Sequence, residues 1–126
     1  MDIQKHIAHW RAGSEEDFEV ARELVGNGRL HHGLFFLHLA VEKMLKAHVV
    51  KETQEVPPKI HNLLTLSNRT GLNVTDEVLQ FFSRLNAYQL VGRYPDSGGS
   101  TALSREHAED LIDVAQETLE WLKAQL

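Results

Sequence analysis

Cysteine is absent from the 126 residues, which excludes a disulfide framework and thiolate chemistry and fits a reducing compartment. Also missing is any run of about 18 apolar residues, so no membrane span is expected. The opening MDIQKHIAHW has no apolar segment of signal-peptide length, and a cytoplasmic location is the expectation. Metal-binding patterns are lacking. There is no HExxH and no paired Glu-x-x-His, and His6/His9 and His31/His32 supply too few convergent ligands. No glycine-rich phosphate loop occurs, and Ser104 with His107 has no third orienting group for nucleophilic chemistry. Neither a metal nor another cofactor is therefore expected. No stretch reads as a strand, and no internal repeat or composition shift marks a second domain, so residues 1–126 read as one domain.

Excess positive charge is lacking as well. The net charge is −5, which argues against a generic nucleic-acid binder. The distribution is uneven. Residues 29–93 carry eight Lys/Arg against five Asp/Glu, a net +3, and the two ends together carry −8. Five of the eight histidines also lie in the middle. This leaves two readings open, a local basic surface or mixed charge on solvated helix faces.

What is present is helical periodicity. Ile3, Ile7, Trp10, Asp17/Phe18, Ala21 and Leu24/Val25 recur at helical spacing and predict a helix over about 2–27. Gly13-Ser14 is a candidate break, and Gly26-Asn27-Gly28 is a C-terminal stop. A second helix is predicted over about 30–52, with Leu34, Leu37, Val41, Met44/Leu45, His48 and Val49 as its main stripe. Phe35, Phe36, Leu39 and Val50 widen its apolar surface, which places it at the centre of a bundle or at a subunit interface. Pro57-Pro58 forces an extended connection. A short helix over about 60–69 is expected to end at Gly71, and a fourth helix over about 75–91 to start at the N-cap Thr75. Arg93 to Ser100 reads as a loop, and Ser104 caps a fifth helix carrying Ala108, Leu111/Ile112, Ala115, Leu119 and Leu122. Five helices with short connections imply an all-α, up-and-down bundle.

The charges on the second helix are the unusual feature. His38, Glu42 and Lys46 are four apart and share one face of an otherwise apolar helix, with Lys43 beside them. They form either an i,i+4 ladder worth about 0.2–0.5 kcal/mol or a polar strip facing a cleft or a partner. His61 follows the Pro-Pro turn, where it either satisfies a backbone group at a helix start or contacts the second helix or the Arg93 loop. Arg93 offers a rigid fork for phosphate and Tyr94 a face for stacking a base. Alternatively, Arg93 and Asp96 close a turn and Tyr94 packs over the bundle end.

Taken in order, Trp10, Asp17-Phe18 and Ala21, then His38 through Ala47 with its A-x-E-K-x-L-K-A core, then Ile60-His61-Asn62-Leu63, then Arg93-Tyr94-Pro95-Asp96 resemble the HEPN family of small helical domains. The resemblance spans roughly Trp10 to Leu122. Leu39 stands where the family often has glutamine. It implies an antiparallel helical bundle, usually a symmetric homodimer, associated with nucleotides or RNA and often working beside a small nucleotidyltransferase. The catalytic branch of the family carries an arginine followed, after four to six residues, by a histidine, and cuts RNA without metal. That spacing is absent here; Arg29-Leu30-His31 and Arg105-Glu106-His107 are too close. The resemblance therefore implies a non-catalytic module, with Arg93, Tyr94, Lys43 and Lys46 as nucleotide or phosphate ligands and His38, Glu42, His61 and Asp96 as a supporting polar cluster. Two other readings stand beside it. One is a metal-independent, toxin-type ribonuclease with His61 as the acid–base group. The other is an interaction module that buries the apolar surface of the second helix against a protein partner.

Overall fold

The computed structural model describes residues 1–90 and 103–126. Within them the chain forms α1 (Ile3–Gly26), α2 (Leu30–Thr53), α3 (Leu63–Ser67), α4 (Asp76–Leu85), a 3₁₀ turn (Asn86–Tyr88) and α5 (Arg105–Ala124). The fold is an all-α bundle, and no strand occurs among the described residues. None of the described helices is long and apolar enough to cross a membrane. The long α1 and α2 make an antiparallel hairpin, α5 packs across both, and α3, α4 and the 3₁₀ turn pack on α2.

Each helix start named here follows from an oxygen that satisfies an orphan N–H. Asp2 accepts from Lys5 N at 3.1 Å, Asn62 from Leu64 N at 2.9 Å, Thr75 from Val78 N at 3.3 Å and Ser104 from His107 N at 3.0 Å. The α1–α2 turn closes through Gly28 at φ +82°, with Arg29 N donating to Leu24 O at 2.8 Å. The Arg105 guanidinium donates to the carbonyls of Val25 and Gly26, so the start of α5 is tied to the end of α1.

α2 is the central helix. Its predicted stripe is buried, as are Ala40, Ala47 and Val50. The core joins these residues to Phe18, Ala21 and Val25 of α1, Leu63 and Leu66 of α3, Phe81, Phe82 and Leu85 of α4, and Ala108, Leu111, Ala115 and Leu122 of α5. The main stripe of α2 is thus used within one chain, while Phe35, Phe36 and Leu39, which widen its apolar surface, stay half-buried.

Three expectations are corrected. Gly13-Ser14 does not break α1. The two small residues let α2 approach closely: the stem of Lys43 passes over Gly13, and the buried Ser14 hydroxyl donates to Ala40 O at 2.6 Å. The third helix is shorter than the predicted 60–69, because Asn62 caps it and leaves Ile60–Asn62 outside. The fourth helix ends at Leu85 rather than running to Val91, where the Asn86 side chain turns to bind the start of α3. Val91 itself lies outside the described residues.

Candidate functional site

Halfway along α2 the apolar surface is interrupted by the buried residues His38, Glu42 and Lys46. Their spacing stacks them on one face, and α3 begins directly opposite. Lys46 Nζ donates to Glu42 Oε2 at 3.0 Å and lies 5.5 Å from the centre of the Trp10 ring, a cation–π contact from α1. His61 reaches in from the segment before α3, with Nδ1 3.1 Å from both Glu42 oxygens. His38 Nδ1 lies 3.7 Å from Glu42 Oε1, an electrostatic neighbour beyond hydrogen-bonding range.

Backbone donors determine the protonation pattern of the cluster. Asn62 Oδ1 accepts from the N–H groups of Leu64 and Thr65, so its carbonyl orientation is settled. Asn86 Nδ2 donates to that same oxygen at 3.1 Å, and Asn86 Oδ1 accepts from Leu63 N at 3.0 Å. The ring nitrogen facing Asn86 Oδ1 at 3.3 Å, His38 Nε2, must then carry the hydrogen. Burial disfavours imidazolium and lowers the pKa of His38 below 6.5, against the opposing pull of Glu42 and Asn86. His38 is therefore neutral, with hydrogen on Nε2. A carboxylate only accepts, so His61 Nδ1 is also a donor, and the ring's other nitrogen is not engaged by Glu42. The side chain of His61 is 65% exposed and that of Glu42 is 5% exposed. The cluster is thus closed to solvent except at one imidazole.

The site residues predicted from sequence fall into three groups. His38, Glu42, Lys46 and His61 come together. Lys43 points to the other side of α2, where Nζ lies 2.8 Å from Asp17 Oδ2. That ammonium sits off the hydrogen-bonding direction of the buried oxygen, so the contact is an ion pair. Arg93, Tyr94 and Asp96 lie outside the described residues. Sequence reasoning missed Asn86, which holds His38 and α3 together, and treated His61 as part of a helix that starts after it. Asn62 ahead of an apolar pair was a readable cap signal; Asn86 carried none.

A second buried histidine has a structural role. His48 Nε2 donates to Leu122 O at 2.7 Å, and Lys51 Nζ donates to Gln125 O at 2.7 Å, so α2 caps the end of α5. Burial lowers the pKa of His48 as well. Both buried histidines therefore bind their protons less readily in the folded chain than in the unfolded one. Their contribution to stability is complete above 6.5 and is lost as pH falls below it. Urea midpoints are expected to drop between ~pH 7.5 and ~pH 5.5. His48→Gln keeps a donor for Leu122 O and should flatten that slope. An unchanged slope in His48→Gln would place the titration elsewhere.

Two solved structures share this architecture. TT1696 from Thermus thermophilus superposes with a TM-score of 0.81 at 21% identity, covering 95% of this chain and 98% of its own. ST0689, described as an archaeal HEPN homologue, superposes with a TM-score of 0.72 at 24% identity, covering 94% of this chain and 96% of its own. No curated protein sequence matches. The HEPN domain family model matches residues 7–125, from the first turns of α1 through the end of α5, and the chain belongs to the HEPN domain family.

Proposed function

We propose that this HEPN domain is a nucleotide- or RNA-associated, non-catalytic module that dimerises and works beside a small nucleotidyltransferase. The observation that carries the ligand assignment is the exposed His61 imidazole held on the buried Glu42 carboxylate. Lys43 and Lys46 each have a carboxylate partner, so neither brings an unpaired charge. In this reading His61 contacts the ligand's phosphate from the α3 side. Arg93 and Tyr94 follow Asn86, the residue that closes the cluster, by seven and eight positions. Arg93 forks a phosphate and Tyr94 stacks a base. The resemblance supports the homodimer and the nucleotidyltransferase partner.

Calorimetric titration with ATP, GTP and a short RNA tests the ligand. At least one is expected to bind, about tenfold or more weaker in Arg93→Ala and in His61→Ala, a loss of about 1.4 kcal/mol. Unchanged affinity in Arg93→Ala, or no binding to any of the three, overturns the assignment. Sedimentation tests the dimer, and a monomer at micromolar concentration overturns that part.

The Glu42–His61 pair also favours a second reading, a metal-independent ribonuclease of toxin type. A carboxylate on Nδ1 orients an imidazole so that Nε2 can exchange protons with a reacting phosphodiester. RNA left intact by concentrated pure protein, with His61 unmodified, removes this reading.

A further inference from the structure

We propose that His61 is a phosphoryl-acceptor site, modified at Nε2 by a small acyl-phosphate or phosphoramidate-type donor. The proposal concerns a covalent reaction and does not depend on nucleotide or RNA binding.

Three features of the geometry converge on it. First, Nδ1 donates to both oxygens of Glu42 at 3.1 Å, so the tautomer that fits this contact is the one with its lone pair on Nε2. An imidazole free to exchange tautomers has that lone pair on Nε2 for only part of the time. Second, exposure is divided between nucleophile and carboxylate. The His61 side chain is 65% exposed and that of Glu42 is 5% exposed. A donor can reach the nitrogen, while the carboxylate that would otherwise repel an incoming phosphate is covered. Third, Glu42 cannot swing away, because Lys46 holds Oε2 at 3.0 Å. That ammonium also offsets the carboxylate's repulsion of an approaching phosphate anion.

The chemistry balances without a further reactant. The Nε2 lone pair attacks phosphorus and forms the N–P bond. The donor's bond from phosphorus to its leaving group breaks, and that group departs with the electron pair. The positive charge created on the ring is shared with Nδ1–H, which already points at the Glu42 carboxylate. Glu42 acts here as a positioning residue. No other exposed histidine among the described residues has a carboxylate within ion-pairing distance. His9 packs on Trp10 and His31 on Tyr88. His61 is thereby set apart from the exposed His9, His31, His32 and His107 and from the half-buried His6.

The test uses the full chain and phosphoramidate as the donor. Intact mass follows the gain of phosphoryl groups, and peptide mapping under alkaline conditions assigns the position. His61 is expected to react at least about tenfold faster than any of the other exposed histidines in the same molecule, equivalent to about 1.4 kcal/mol in the barrier. The product should be acid-labile, and phosphorus NMR should report attachment at Nε2. His61→Ala should remove the fast phase and leave the slow one. Glu42→Gln, where circular dichroism reports a folded chain, should slow His61 and leave the other histidines unaffected. Equal modification of all exposed histidines, or attachment at Nδ1 of His61, overturns the proposal. The comparison within the wild-type chain decides the matter even if Glu42→Gln does not fold.

Discussion

Glu42→Ala is expected to destabilise the fold by about 3–5 kcal/mol, the cost of leaving one member of a buried ion pair without its partner. For a chain of this size that corresponds to a fall in melting temperature of roughly 12–20 °C, at about 4 °C per kcal/mol. Lys46 is the reason. Its side chain is 7% exposed and its hydrogen bond in the structure goes to Glu42. The Trp10 ring face compensates only in part, since a cation–π contact contributes about 0.5–2 kcal/mol depending on desolvation. The loss should come from the stranded charge, so removing that charge as well should recover most of it. Glu42→Ala with Lys46→Met is expected to be clearly more stable than Glu42→Ala alone, because an apolar replacement of a buried pair is often neutral. Urea denaturation with an unchanged m-value provides the measurement. A cost for Glu42→Ala below about 1 kcal/mol would mean that Lys46 reaches water in the mutant, and the buried-pair account would fail.

The same cluster marks how far the sequence could be read. Helix positions followed from periodicity and from oxygen-bearing caps such as Thr75 and Ser104, because those signals are local and each satisfies donors within one turn. The ladder on α2 was also legible, since residues four apart on a helix must share a face. Contacts between elements were less so. His38, Glu42 and Lys46 form both a ladder and a polar strip, and nothing in their spacing shows that His61 lies on Glu42 across 19 residues of chain. Asn86 lies 48 residues from His38, and its two amide bonds are long-range facts that no window of sequence carries. They also explain the boundary errors. Helix propensity alone would carry α4 onward, but the Asn86 side chain is committed to α3 and the main chain tightens into a 3₁₀ turn there.

The breadth of apolar surface on α2 was ambiguous for a related reason. A helix apolar nearly all round is either central or interfacial, and composition does not count the neighbours available. In this chain α1, α5 and the α3–α4 pair cover its main stripe from within, and Phe35, Phe36 and Leu39 stay half-buried. Of the residues that widen the surface, Val50 is buried within the chain, and Phe35, Phe36 and Leu39 are what α2 leaves for a protein partner.

Gly33→Ala is expected to destabilise the chain even though alanine is the better helix former. A Cβ added at Gly33 would stand 2.5 Å from Val25 Cγ2, 3.1 Å from Val25 N and 3.2 Å from Ala21 O. Two of these neighbours are backbone atoms of α1, and the third belongs to a β-branched side chain that is 2% exposed and stiff at χ1. None can retreat without separating α1 from α2 next to their connecting turn. Overpacking of this kind costs about 1–3 kcal/mol, against a propensity gain of about 1 kcal/mol. The net expectation is a loss of up to about 2 kcal/mol. Gly13→Ala is the control with the opposite expected sign. Its Cβ would meet Lys43 Cδ at 3.1 Å and Nζ at 3.5 Å, both on a flexible side chain that is 28% exposed and can shift outward. There the propensity term should win, giving a neutral to slightly stabilising change of at most about 1 kcal/mol. Both positions lie within helices that contact each other, so they differ mainly in what a methyl group would strike. If both substitutions stabilised the chain, α1 and α2 would be able to separate freely at their connected end, and the close-packed hairpin would be wrong.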